Sequence, residues 1–311
     1  MRTADSRCDR TATPGTGGSP RLALARAAVA LGALGALGAI GALLAGCAGP
    51  APQRASPLPL ASHRYVLLGE QHDNADGHQL RLQALQESVR AGWRPVIAME
   101  QFDRERQGEL DRARRERPGD ADHLIAAAGG PGWDWSLYRP VIALALQYDL
   151  PLVAANLSRA DARRVVREGV AAVFAAPQRA QLGLDTPLAA ELAQAQQAGI
   201  AAAHSAQMPA SLLPGMAAAQ VARDAVMAHV MAASSDGSPP PRPVVLIAGN
   251  GHVRKDIGVP RWLQERQGTA VADVFAVGYL PTEAGAGEDG GDAAPAAAFD
   301  RIVAIPAVRP R

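Results

Sequence analysis

Two short stretches of this chain set glycine beside side chains that can bind a metal, move a proton or hold an anion. They are Gly69-Glu70-Gln71-His72 and Gly249-Asn250-Gly251-His252. Each follows a compact apolar run, Tyr65-Val66-Leu67-Leu68 before the first and Val244-Val245-Leu246-Ile247-Ala248 before the second. Apolar runs of this length bounded by glycine read as buried strands. In an open α/β sheet, ligands bind beyond the carboxyl ends of the strands, so both histidines are expected on the edge where chemistry happens. With 31 glycines and 7 histidines in 311 residues, about 0.7 Gly-x-x-His matches arise by chance. The signal is therefore the matched placement after two strands, not the spacing alone.

Other strand ends add to the set. Glu100 closes the run from Pro95 to Met99, and Asn156 closes the run from Leu150. Two histidines and one or two carboxylates converging on a cleft can bind a divalent metal, activate water or hold an anionic cofactor. His72, Glu100 and His252 are the candidate metal ligands, and Glu70 and Glu100 the candidate acid–base pair. The plainer alternative is that the carboxylates pair with arginine and the histidines brace loops. Arg254 and Lys255 follow His252 and could clamp a carboxylate or phosphate, arginine by its bidentate fork. Tyr138, just after the break at Gly129-Gly130-Pro131-Gly132, could project its phenolic oxygen over a pocket, and tyrosinate is an axial ligand of haem iron. His204 precedes a helix and lies in a loop. No Gly-x-Ser-x-Gly elbow, P-loop or dinucleotide fingerprint is present.

These groups need a scaffold, and the hydrophobic pattern supplies one. Strands are expected at 64–70, 95–100, 150–156, 244–248, 271–279 and 301–305, the last of them antiparallel. Asp73, Asn74 and Asp76 offer N-caps for a helix in which His78, Leu82, Leu85 and Val89 recur at helical spacing. Further helices are expected at 103–117, 120–128, 140–148 and 260–267. Residues 159–235 are almost wholly helical in pattern, broken near Pro177, Pro187 and Pro209. The fold class is α/β: a mainly parallel sheet flanked by helices on both faces, with a largely helical insertion between the third and fourth strands. Residues 283–298, rich in Gly, Ala, Asp and Glu, read as a solvated mobile loop.

The front of the chain reads as an address. Arg2, Arg7, Arg10, Arg21 and Arg26 precede an uncharged stretch from Ala27 to Leu44, and Leu44-Ala45-Gly46-Cys47 ends it. This is the layout of a secretory signal, although the apolar stretch also approaches the length of a membrane span. The four residues resemble a bacterial lipobox. That resemblance implies lipidation at Cys47, removal of the signal and a membrane anchor that does not span. Ala48 then favours the outer membrane. The expected layout is a signal over 1–47, a tether over 48–62 and one domain over 63–311. Beyond Cys47 there is no cysteine, which excludes a disulfide, thiolate ligands and a cysteine nucleophile from that domain. The net charge is +1, with no basic tract after the signal and Lys255 the only lysine, so nucleic acid is not an expected partner.

Several segments, in order, resemble the ChaN-type haem-binding lipoproteins: 66–74, 98–102, 135–140, 153–156, 219–228 and 248–254. That family sits in a wider group, including Tiki and TraB-type proteins, marked by two Gly-x-x-His motifs and an acidic residue. The resemblance implies haem binding in haem or iron uptake, with a tyrosine on the iron, matched by Tyr138, and basic groups at the propionates. His252, Arg254, Lys255 and His204 are the remaining cofactor-binding candidates. One open haem face could let two molecules stack their haems, so a haem-dependent homodimer is an expected partner, as is an outer-membrane haem receptor. The alternative is a metal-dependent hydrolase, a Tiki-like protease or an esterase, using His72, Glu100 and His252 with a divalent ion.

Overall fold

The computed structural model describes residues 57–203, 209–235, 239–281 and 296–307. The expected lipidation site Cys47, His204 and most of the acidic loop lie outside them. Six strands make one sheet: β1 (Tyr65–Leu68), β2 (Val96–Asp103), β3 (Leu152–Asn156), β4 (Val244–Ile247), β5 (Val274–Pro281) and β6 (Arg301–Ile305). Their order across the sheet is β3-β2-β4-β1-β5-β6. Every neighbouring pair is parallel. All four residues of β1 and of β4 are buried, which is why these strands read as continuous apolar runs; helices cover both faces of a parallel sheet.

Alternate residues of each strand feed two cores. Val66, Leu68, Ile97, Met99, Val245 and Ile247 face one side. There they meet α1 (Ala75–Arg90), α2 (Gln107–Glu116), α3 (Ala121–Ala128) and α4 (Trp135–Gln147). Tyr65, Leu67, Val96, Ala98, Val244 and Leu246 face the other. That side is covered by α5 (Arg159–Glu168), α6 (Ala176–Leu182), α8 (Leu213–Ser234) and α10 (Val259–Gln267). Between α6 and α8 lies α7 (Ala190–Ala203), so the expected helical insertion resolves into four helices. A single turn, α9 (Asn250–Val253), follows β4.

Strand order decides where a ligand can sit. From β1 the chain crosses to β2 and then β3 on one side of the sheet, through α1 to α4. From β4 it crosses the other way, to β5, through α9 and α10. β1 and β4 are neighbours, so the segments leaving their carboxyl ends diverge to opposite faces. That is a topological switch point, and it opens a crevice between the two glycine motifs.

Two expectations need correction. β6 is parallel to β5, in register Val277↔Arg301, not antiparallel. Residues 282–300 are long enough for a crossover, which a parallel pair needs and a hairpin does not. The helix expected from Pro140 begins at Trp135, capped by the Asp134 side chain, which accepts from Ser136 N. Pro140 lies inside it, and Tyr138 thereby falls on the helix rather than on a loop.

Candidate functional site at the switch point

The first motif ends in a carboxylate surrounded by donors. Glu70 is buried at the end of β1. Its Oε1 accepts from Tyr138 Oη at 2.6 Å, His72 Nδ1 at 2.8 Å and Gln101 Nε2 at 3.0 Å. Its Oε2 faces Arg81 Nη1 in a buried ion pair. Burial alone would raise this carboxyl, but the Arg81 guanidinium and the His72 hydrogen bond outweigh it and hold the carboxyl near 2. Arg81 also donates to His78 Nδ1 at 2.8 Å. His78 Nε2 then donates to the His72 carbonyl at 3.1 Å. Burial and Arg81 together lower the His78 pKa, consistent with that neutral tautomer.

The second motif builds a different array. The N–H of Gly249 donates to Glu100 Oε2 at 2.8 Å. The turn α9 carries His252 inward, where Nδ1 meets Asp224 Oδ1 at 2.6 Å and Nε2 stands 3.4 Å from Glu100 Oε1. Burial would lower the His252 pKa, but two carboxylates on either side of the ring push it up to about 10. Burial raises Asp224 to about 6 despite its histidine partner. Glu100 is driven the other way, well below the usual range: burial is outweighed by His252, His72 and Arg223, whose Nη1 lies 3.9 Å away. Arg223 in turn donates to Asn156 Oδ1 at 3.0 Å, joining β3 to the site.

The two motifs interlock. A β-carbon on Gly69 would collide with Asn250 Oδ1, and one on Gly249 would stand 3.0 Å from Cε1 and Nε2 of His72. Asn250 uses the space at Gly69 to bond β5, donating to Tyr279 O at 2.7 Å and accepting from Tyr279 N at 3.0 Å. Its own N–H donates to Glu70 O at 3.0 Å. Each motif thus leaves room for a side chain of the other.

The expected residues end up in different places. Glu70, His72, Glu100, Asn156 and His252 meet at the crevice. Tyr138 reaches it only from below: it is 0% exposed, its hydroxyl is committed to Glu70, and His78, Trp133 and Trp135 pack edge-on around its ring. Arg254 is paired bidentately with Asp256 and Lys255 with Asp300. For the metal set, His72 and His252 turn their Nδ1 atoms to different carboxylates, Glu70 and Asp224. Among the described residues no three His, Cys, Asp or Glu side chains group as a metal site. An ion bound there would have to displace the proton that Glu100 and Asp224 hold on His252.

Several functional neighbours escaped the sequence reading. Arg81 takes a buried place on the inner face of α1, where Leu82 was the expected member; it is 2% exposed. Asp224 is 0% exposed in α8. A charge falling on an otherwise apolar helix stripe is the signal that could have exposed both. Arg159, at the start of α5, lies across the glycine break, its guanidinium 2.6–2.7 Å from where a β-carbon of Gly132 would stand.

A family model described as haem-binding uptake, Tiki superfamily, ChaN matches residues 59–263. The chain belongs to the ChaN family. A solved structure with the same fold shows cofacial haem binding to ChaN of Campylobacter jejuni; it is 20% identical, covers 71% of this chain and 83% of its own, and superposes with a TM-score of 0.56. A mutant of erythromycin esterase EreC in its open conformation is a more distant likeness, 15% identical over 72% of this chain and 71% of its own, with a TM-score of 0.43. No curated protein matches the chain. Both glycine motifs lie within the matched residues.

Proposed function

We propose that the chain is a haem-binding lipoprotein of the bacterial cell envelope that serves haem or iron uptake, anchored in the outer membrane through Cys47. The observation that carries this reading is the exposed imidazole of His72 at the crevice, backed by an aromatic wall. Haem is an apolar plate with a metal centre and two carboxylates, so its site needs a flat wall, an iron ligand and cations or donors at the rim. Trp133 meets the His72 ring edge-on with centroids 5.0 Å apart and is itself partly exposed. Gly249 keeps the opposite side free of a side chain, a gap a β-carbon would fill. The residues present therefore fit the group the family binds. When bound, haem would supply a ferric iron; the protein's part is to offer it a side chain and exclude competing contacts.

Other observations bear on partners. Two hollows in the surface of the described residues are lined by residues other than the two glycine motifs. One, of about 180 Å³, lies between α1 and α4 beside His78 and Arg81; the other, of about 210 Å³, is bordered by Trp262 and Arg266. A haem held at the crevice with one face uncovered could stack on the haem of a second copy. The reading includes a haem-dependent homodimer, with an outer-membrane haem receptor as the source or destination of the cargo. Among the described residues no helix is long and apolar enough to cross a membrane. The test is titration of the full chain with haemin beside Gly249→Leu. Saturable one-to-one binding by the wild type and its loss in the variant support the reading. Absence of saturable binding by the wild type contradicts it.

A further inference from the structure

We propose that the hollow between α7 and α10 is a binding site for a small organic monocarboxylate, held by Arg261, Arg266 and the indole N–H of Trp262. The inference does not rest on the haem reading, because none of Glu70, His72, Glu100, Asn156 and His252 borders this hollow.

Two buried donors of the lining lack partners. Trp262 is 3% exposed, and its Nε1 makes no hydrogen bond among the described residues. Arg261 pairs with Glu265 through Nη2 at 2.9 Å, yet its Nε is buried and unbonded. Both side chains border the hollow. A buried donor without an acceptor forfeits the water it gave up on folding, so nearly all buried donors in folded chains are paired. Two such donors, on consecutive residues of one helix and at one hollow, mark a place for an acceptor that the chain does not itself supply.

The charge around the hollow sets the sign of that acceptor. Arg266 also borders it, with its guanidinium 5.8 Å from the centroid of the Trp262 ring, and no ion pair or hydrogen bond engages it among the described residues. Gly183 makes room for this side chain: its φ is +67°, and a β-carbon there would stand 2.5 Å from Arg266 Nε. Arg261 lies in the first turn of α10 and Leu192 in the first turn of α7, so the positive ends of two helices border the same space. Against the two arginines stands one carboxylate, Glu265, already paired with Arg261. The surplus is one positive charge, which matches a monoanion.

The rest of the lining gives the ligand its body. Pro187, Leu188 and Leu192 are apolar, and the hollow measures about 210 Å³. An apolar cavity of about 150 Å³ takes up benzene, so this one has room for a six-membered ring bearing a carboxylate. A mostly apolar wall with a few convergent donors is the usual make-up of a small-molecule site. The carboxylate would accept from Arg261 Nε, Trp262 Nε1 and the Arg266 guanidinium, with the ring against the leucines.

Benzoate titrated into the full chain in detergent tests this, read by calorimetry and by nitrogen–proton correlation spectra of the indole groups. The wild type should bind benzoate saturably, one-to-one, and shift the Trp262 indole signal, identified by its loss in Trp262→Phe. That variant keeps a ring but no donor and should bind roughly tenfold more weakly. Arg261→Met keeps the aliphatic stem on the partly exposed side chain, removes the charge and should weaken binding at least as much. Benzyl alcohol, of similar size but uncharged, should not bind. No saturable benzoate binding, a shift confined to another indole, or full-strength binding by both variants overturns the site. Equal binding of benzyl alcohol, or displacement of benzoate by a lower concentration of inorganic phosphate, overturns the carboxylate assignment.

Discussion

The ring of His72 lies against the backbone of Gly249, so closely that a β-carbon on the glycine would stand 3.0 Å from both Cε1 and Nε2. One residue belongs to the first glycine motif and the other to the second, and they are 177 positions apart in the chain. Strands β1 and β4 bring them together because they are hydrogen-bonded neighbours in register. The glycines of the two motifs are thus spacers for each other's side chains. Gly249→Ala should leave the fold in place, because its backbone is compatible with alanine (φ −55°) and the neighbour it meets is an exposed side chain that can shift. It should still weaken haemin binding. Equal melting temperatures with reduced haemin affinity would confirm the separation.

Gly69→Ala should behave differently. Its β-carbon would meet Asn250 Oδ1, Val253 and the Val277 carbonyl, all of them held by the sheet. The expected loss of stability is about 1–3 kcal/mol, the range for overpacking a rigid site. Urea unfolding of the two glycine variants side by side measures the contrast, and equal losses would refute the interlock.

Glu70→Gln keeps the shape but removes the charge opposite Arg81, which is 2% exposed. A buried guanidinium left without its anion should cost about 3–5 kcal/mol. Tyr138→Phe removes one hydrogen bond to that carboxylate and should cost less, about 1.5–3 kcal/mol. Reversal of that order in chemical denaturation would mean that Glu70 is not the centre of the cluster.

Much of this arrangement was legible in the sequence, and the gaps have physical causes. The apolar runs before Gly69 and Gly249 show as strands because both of their faces are covered. The carboxylates and histidines at their ends follow from the direction of a parallel sheet. Sequence spacing does not reveal which side chain of a helix faces inward when a charge takes an apolar place, and so Arg81 and Asp224 went unread. Nor does a tyrosine after a glycine break announce whether its hydroxyl points to solvent or to a buried carboxylate; Tyr138 does the latter because its helix starts at Trp135. The direction of β6 is not written in the residues of the strand, and a connection as long as 282–300 admits either direction.

The His252 array should make stability fall with alkali. The groups facing its ring are Asp224, Glu100 and the Gln220 amide, with Arg223 and His72 behind Glu100. The His252 pKa rises from an ordinary 6.5 to about 10 on folding, so its contribution is complete below 6.5 and is lost as pH climbs towards 10. Glu70 runs oppositely: held near 2 against an ordinary 4.5, it stabilises above 4.5, and the benefit is lost as pH falls towards 2. Melting temperature against pH should therefore decline between 6.5 and 10, and His252→Gln should flatten that limb. An unchanged alkaline limb in the variant would place the charge elsewhere.

For the anchor, Cys47→Ser should abolish acylation and release the protein from the outer-membrane fraction. Intact mass and fractionation of the two forms read this directly. A serine variant that stays with the membrane and keeps the acyl mass would overturn the lipobox reading.

The position of the iron tests the central claim most directly. In crystals of the haemin-loaded full chain, anomalous scattering at the iron edge should place the metal in the crevice between β1 and β4. Iron outside that crevice, or no ordered iron in crystals grown with saturating haemin, would contradict it.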